Sequence, residues 1–318
     1  MRDWIYHIIF GLISVTVLYF GFVYKQTVGS EITSRQHQLE KAKPEVVLIG
    51  DSTLRAGVDE HALQKTLGQE VFKASNNGSA SAWWYLYVKN VLCQADCQPK
   101  TAVIFFRDHY LTDPLFRTEG EYAKPIRVLC CADEPQIHAV LSSGFWDSPF
   151  NTIPQEAKTM WEQRVLKTAA HLVRVNKDRA TEHLREIFSE SKMADARISA
   201  KQLASEQAKD DSDFDFEKNV DHSFLPAILS EMKAKNIQPV FVRMKRRRDL
   251  EPGAQSYLLN NYIINLTTFL NSNDAVLIDF TDVNEIQLEH FGPGDHLNEQ
   301  GKHLFTKLLA EKLIDFKK

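Results

Sequence analysis

Charge of one sign is what this sequence lacks. In 318 residues, 38 lysines and arginines face 42 aspartates and glutamates, leaving a net charge of −4. Nucleic-acid-binding domains are usually strongly basic, so a nucleic-acid partner is not expected. Cysteine is scarce as well: the four present form two tight clusters, Cys93 with Cys97 and Cys130 with Cys131. Such clusters suit disulfides in an oxidising compartment, with three pairings open. Zinc requires four ligands in tetrahedral arrangement, and a vicinal pair supplies that poorly, so no metal or cofactor is expected. No repeat period runs through the chain, which excludes a solenoid. What remains is 43% hydrophobic and 25% charged residues, a globular composition sufficient for one large core or two smaller ones. One local basic run, "RMKRRRD" at 243–249, reads as a solvated strand exit. Contact with an anionic ligand or lipid headgroup is its alternative.

A long apolar run begins the chain. From Trp4 to Tyr24 the strongly polar side chain is His7, and about 20 such residues cross a bilayer as a helix. Trp4, Tyr6, Tyr19 and Tyr24 stand toward the ends of the run, where interfacial aromatics sit. The run exceeds the apolar core of a signal peptide and no small-x-small cleavage site follows cleanly. Residues 1–25 are therefore expected to be an uncleaved single-pass anchor, 26–44 a polar stalk, and 45–318 the folded domain. Lys25, Arg35, Lys41 and Lys43 follow the anchor and favour an inward-facing domain, but large domains translocate regardless of that bias.

Beyond residue 44, strands and helices alternate. "EVVLIG", "EVF", "TAVIFF", "IQPVFVRM" and "AVLIDF" read as strands, several of them continuous apolar runs of the kind covered on both faces. Between them "DEHALQKTLG", "LPAILSEMKAKN" and "GAQSYLLNNYIINLTTFLNSN" read as helices, and "NEQGKHLFTKLLAEKLIDF" closes the chain as another. This order predicts an α/β fold: three layers, a parallel sheet flanked by helices. The charged stretch at about 151–222 interrupts the alternation and reads as a helical insertion ending in an acidic surface loop. In parallel α/β sheets ligands bind beyond the carboxyl ends of the strands. Ser52, Gly78, Arg107 and Arg243 each follow a predicted strand and are expected to share that edge.

The first strand halts at Gly50-Asp51-Ser52. Asp51 or Ser52 can cap the following helix. Equally, Ser52 at a strand-to-helix turn can be a nucleophile, given a base within hydrogen-bond reach and amides aimed at the oxyanion. A candidate base stands at the other end of the domain: His296 lies in "FGPGDHLNEQGKHLF", with Asn298 placed to cap the last helix and Gly301 to permit close packing. Asp295 is the adjacent acid. Trp83, Trp84 and Tyr85 at a helix start read as core.

These blocks resemble the SGNH (GDSL-type) hydrolase superfamily in order and over most of residues 46–312. "IGDS" is similar to its first block, with Ser52 in the nucleophile's place. "NNGSAS" looks like its second, with the Gly78 amide in the oxyanion hole. "DHLNEQG" resembles its last, with His296 as base. The resemblance implies an SGNH/flavodoxin-like fold and acyl-ester chemistry. It also departs from the family. The third block, "FFRDHYLTDP", has no asparagine, leaving Arg107 as the substitute oxyanion donor. The acid usually three residues before the histidine is replaced by Pro293, leaving Asp295, or Glu289, to orient the imidazole. Asp51, Asn77, Asp108, His109 and Arg243 are the candidate substrate contacts.

Anchored SGNH domains lacking the third block resemble a subgroup that handles acyl groups on bacterial envelope polymers, such as the alginate O-acetylation and teichoic-acid D-alanyl transfer proteins. That likeness implies a domain in the periplasm, held at the inner membrane. Its expected partners are an acyl donor or envelope glycan and a membrane-bound O-acyltransferase. The alternative is a non-catalytic partner of the same fold that positions a polymer for another membrane protein.

Overall fold

Five apolar runs form the strands of one sheet: β1 Val46–Gly50, β2 Val71–Ser75, β3 Thr101–Phe106, β4 Gln238–Arg243 and β5 Val276–Asp279. The computed structural model describes residues 30–130, 134–141, 214–251, 253–292 and 294–316. The strand order is β2-β1-β3-β4-β5 and every pairing is parallel. Every residue of β1 and of β3 is buried, as expected of central strands covered on both sides.

Alternation along the strands divides the core in two. Val47, Ile49, Ala102, Ile104 and Phe241 face one helical layer; Val46, Leu48, Val103, Phe105, Val240 and Val242 face the other. The second layer contains α2 (Ser52–Gly57), α3 (Glu60–Leu67) and α10 (Glu299–Phe316), which bury Leu54, Leu63, Phe305, Leu309 and Leu313. The first contains α4 (Ser81–Leu86), continued by a π-helical turn at Tyr87–Leu92, then α5 (Ala123–Leu129), α6 (Pro135–Val140), α7 (Phe216–Val220), α8 (Leu225–Ala234) and α9 (Tyr257–Ser272). Trp83, Trp84 and Tyr85 are core residues of this layer. The ends of the helices follow the sequence signals. Asp59 caps α3 through the Ala62 amide and Gly68 closes it in the left-handed conformation. Asn298 caps α10 by accepting from the Gly301 amide at 2.9 Å.

The polar stretch expected to be a stalk is different. Residues 30–42 are helical (α1), and Ile32 and Leu39 lie in the core. The face that packs is Ile32, Arg35, Gln36 and Leu39, at helical i, i+3, i+4, i+7 spacing. Its middle pair is polar: the Arg35 guanidinium lies 5.9 Å from the Trp83 ring centroid, and Gln36 Nε2 donates to the Asn90 carbonyl at 2.7 Å. Hydrophobic periodicity cannot show a face that is half polar.

Three further expectations change. The last part, 214–219, of the acidic loop expected at 204–219 begins core structure, with Phe216 and Val220 of α7 buried. The rest of the insertion, 151–213, lies outside the described residues, as does the predicted anchor at 1–25. Among the described residues no helix is long and apolar enough to cross a membrane. Cys93 and Cys97 are thiols rather than a disulfide; Cys93 Sγ donates to the Glu231 carbonyl at 3.6 Å, and burial pushes that thiol up to about 12.

The 243–249 run is not solvated either. Arg243, Lys245 and Arg246 are buried: Asp279 lies 2.9 Å from Arg243, both Asp108 and Asp249 pair with Arg246, and Lys245 Nζ donates to the Val283 carbonyl at 2.7 Å.

Candidate active site

In this strand order the chain leaves β1 toward β2 on one side and β3 lies on the other, so a crevice opens at the carboxyl ends of β1 and β3. Ser52 follows β1 and Arg107 follows β3. Asp51 is the N-cap of α2: its Oδ1 accepts from the Thr53 amide at 2.8 Å and from the Thr53 hydroxyl at 2.6 Å. The capping role therefore belongs to Asp51, and Ser52, the first residue of the helix, keeps its side chain for the crevice.

The loop ahead of α10 brings His296 back over that edge. His296 Nε2 lies 2.9 Å from Ser52 Oγ across 244 residues of sequence. With the ring proton on Nδ1, Nε2 accepts from the serine hydroxyl. The loop is held by a bridge between Phe291 and Leu297, by the Gly292 amide donating to the His296 carbonyl at 2.7 Å and by the Asn298 amide donating to the His290 carbonyl at 2.9 Å. Gly301 allows the docking: a Cβ there would stand 2.2 Å from the His290 carbonyl oxygen.

Ser52 opens onto a cleft of about 340 Å³ lined also by Asn77, Gly78, Arg117, Glu121 and Tyr122. Gly78 has φ of +70°, and a Cβ would come 2.3 Å from the Tyr122 ring. Glycine is required on both counts. The amides of Ser52 and Gly78 donate to no acceptor among the described residues, so two N–H groups at the cleft are left for a ligand.

Arg107 is not aimed into this cleft. Its Nη2 donates to Asp51 Oδ2 at 3.0 Å and its Nη1 to Asp295 Oδ2 at 3.1 Å, so its guanidinium is committed to carboxylates rather than free for an oxyanion. Asp295 is accordingly turned away from a direct role on the imidazole: its second oxygen accepts from the Arg247 amide at 3.3 Å. Asp295 thus bonds Arg107 and the Arg247 amide, while His296 meets Ser52. Glu289 is exposed.

The remaining candidates divide. Asn77 is exposed on the cleft wall, whereas Asp51 is buried and bonded to Thr53, Arg107 and Arg117. Asp108, His109 and Arg243 are buried and are structural rather than available to substrate. Asp108, at φ +49°, pairs with Arg246 and, at 3.0 Å, with Arg248. Burial alone would push its carboxyl up, but Arg246, Arg248 and Arg243 outweigh burial and hold it below the usual carboxylate range. The His109 ring stands edge-on to Phe214 and Tyr262, at 4.8 and 6.3 Å, with Nε2 3.7 Å from Asp113. Arg243 bonds Asp279, Thr281 and Gln255. Residues that follow strands reach the right edge, but a charge buried among counter-charges does not meet a ligand.

Sequence reasoning offers Arg117 as a contact for an acidic polymer but does not place it on the wall opposite Ser52. The Arg117 guanidinium stacks on Phe116 and Tyr122, at 5.0 and 5.3 Å from their centroids, and reaches Asp51 at 3.5 Å. Nothing in "LFRTEGEY" signals this, because its position depends on the long connection after β3.

No family model matches the chain, and no curated protein matches it. Among solved structures it is similar to a GDSL-like lipase from Bacteroides thetaiotaomicron at 11% identity and TM-score 0.39, covering 91% of this chain and 98% of that one. A carbohydrate esterase family 2 enzyme with its carbohydrate-binding domain, from Corynascus thermopiles (Myceliophthora fergusii), is 11% identical at TM-score 0.38, covering 84% of this chain and 64% of that one.

Proposed function

We propose that this chain is an SGNH-like serine acyl-ester hydrolase or acyltransferase, anchored in the inner membrane of a bacterium and acting on an envelope polysaccharide. The observation that carries the chemistry is the 2.9 Å contact between Ser52 Oγ and His296 Nε2, inside hydrogen-bond reach for a nucleophile and its base. His296 takes the hydroxyl proton as Ser52 Oγ attacks the acyl carbonyl. The Ser52 and Gly78 amides stabilise the oxyanion. The intermediate collapses, the leaving alkoxide receives the proton from His296, and the acyl group stays on Ser52. Water or a sugar hydroxyl then takes it by the reverse sequence, giving esterase or transferase. Anchoring rests on the apolar run at 4–24, and a reporter fused to the C-terminus tests the side of the membrane. The glycan, and a membrane-bound O-acyltransferase as a neighbouring partner, are extensions of the sequence resemblance.

A fluorophosphonate probe tests the reaction. Purified protein is expected to be labelled, with labelling lost in Ser52→Ala and reduced by about 10³-fold or more in His296→Gln. A second reading, a non-catalytic partner that positions a polymer, is favoured by the commitment of Arg107 to two carboxylates. Absence of labelling in the wild-type protein decides for it.

A further inference from the structure

Arg107 occupies the place from which a third oxyanion donor was expected, yet its guanidinium lies between two carboxylates. One belongs to Asp51, immediately before the nucleophile, and the other to Asp295, immediately before the base. We infer that Arg107 is a positioning residue that sets the distance between Ser52 and His296, and that Asp295 acts on catalysis through Arg107, not as the acid of a Ser-His-Asp triad. This inference rests on the serine-hydrolase reading above.

Three observations carry it. First, beside the Ser52–His296 contact, the bridge ties the turn after β1 to the 294–296 loop; the two segments otherwise arrive from opposite ends of the domain. Its arms, 3.0 and 3.1 Å long, come from separate terminal nitrogens, the fork geometry that makes arginine a fixed spacer where lysine is a point charge. Second, the spacer has a fixed base. The next residue, Asp108, is buried against Arg246 and Arg248, so the carboxyl end of β3 cannot drift. Arg247, between those two arginines, gives its amide to the other oxygen of Asp295 at 3.3 Å. The His296 loop is thus held from both β3 and the turn after β4. Third, the arginine side chain is largely shielded, 14% exposed, where a charge-assisted bond is least weakened by water.

The consequence is a pattern of coupling. In a triad the acid bonds the imidazole itself, so its removal is damaging whatever stands at position 107. In a spacer arrangement, Asp295 and Arg107 are two halves of one contact. The experiment measures the rate constant for fluorophosphonate labelling of Ser52, and kcat and KM on an aryl acetate, for the full-length protein and for Arg107→Gln, Arg107→Lys, Asp295→Asn and the Arg107→Gln/Asp295→Asn double variant. Thermal unfolding confirms that each is folded; if Arg107→Gln is not, Arg107→Lys and Asp295→Asn form the same cycle.

The expected result is a fall in kcat and in labelling on the order of 10²-fold for Arg107→Gln, the size of effect that a small misplacement of reacting groups produces, with KM little changed. Arg107→Lys recovers part of the loss. The double variant is no slower than Arg107→Gln alone. Overturning results are a double variant slower by the product of the two single losses, which assigns Asp295 to the imidazole directly, or an Arg107→Gln protein that labels like wild type. A wild-type protein that does not label removes the hydrolase reading instead, so the two failures are told apart.

Discussion

Gly78 carries two constraints in one residue: a left-handed backbone, at φ +70°, and a tyrosine ring where a side chain would begin. Gly78→Ala is therefore expected to cost about 1–2 kcal/mol in backbone strain and to push Tyr122 into the cleft or tilt the residue 78 amide. The prediction is that labelling of Ser52 falls far more than the unfolding midpoint in urea does. Equal falls would make Gly78 a folding residue only. The same scale shows what could be read in advance. That Ser52, Gly78 and His296 share one edge was legible because each stands in a short local pattern: a strand meeting a helix, a glycine turn, a histidine ahead of a helix cap. The destinations of Arg107, Asp108, His109 and Arg243 were not. An arginine after a strand looks the same in sequence whether its counter-charge is a ligand or a distant aspartate, and the aspartates that claim these lie up to 188 residues away.

Among the elements, the turn after β3 is anchored by a single buried carboxylate. Asp108 is 4% exposed and faces Arg246 and Arg248. Removing one member of such a group leaves a buried charge uncompensated, at about 3–5 kcal/mol, so Asp108→Asn is expected to lower stability by that order in urea unfolding at pH 7. The sign of the pH dependence follows from the depressed carboxyl. Its contribution is complete above the ordinary aspartate value near 3.9 and is lost as pH falls through the lower folded value. Urea midpoints taken between pH 7 and pH 3 should fall less steeply for Asp108→Asn than for wild type; parallel curves would remove Asp108 from the acid-sensitive groups. Strands and most helices were legible because apolar runs and cap residues report them directly. Helix α1 was not, because Arg35 and Gln36 complete its packing face through a cation–π contact and a hydrogen bond.

For the molecule as a whole, the folded domain starts before the first strand. Leu39 is fully buried, and Leu39→Ala is expected to cost about 2–5 kcal/mol. Ile264→Ala, on a residue 62% exposed, should stay within about 0.5 kcal/mol. Accordingly, a protein starting at residue 30 should unfold cooperatively, and one starting at residue 45 should be markedly less stable; equal thermal midpoints for the two would return 30–44 to the status of a tether. The parallel sheet and the helices on both its faces followed from the alternation of strands and helices, whereas the strand order and the domain boundary did not, since a polar helix becomes part of a domain only through what it docks against. The 244-residue separation of Ser52 and His296 also has a consequence in time. A chain growing from the ribosome carries Ser52 early and His296 near its end, so on the proposed reading no nascent or prematurely terminated product ending before residue 296 holds the pair, however well the preceding part folds.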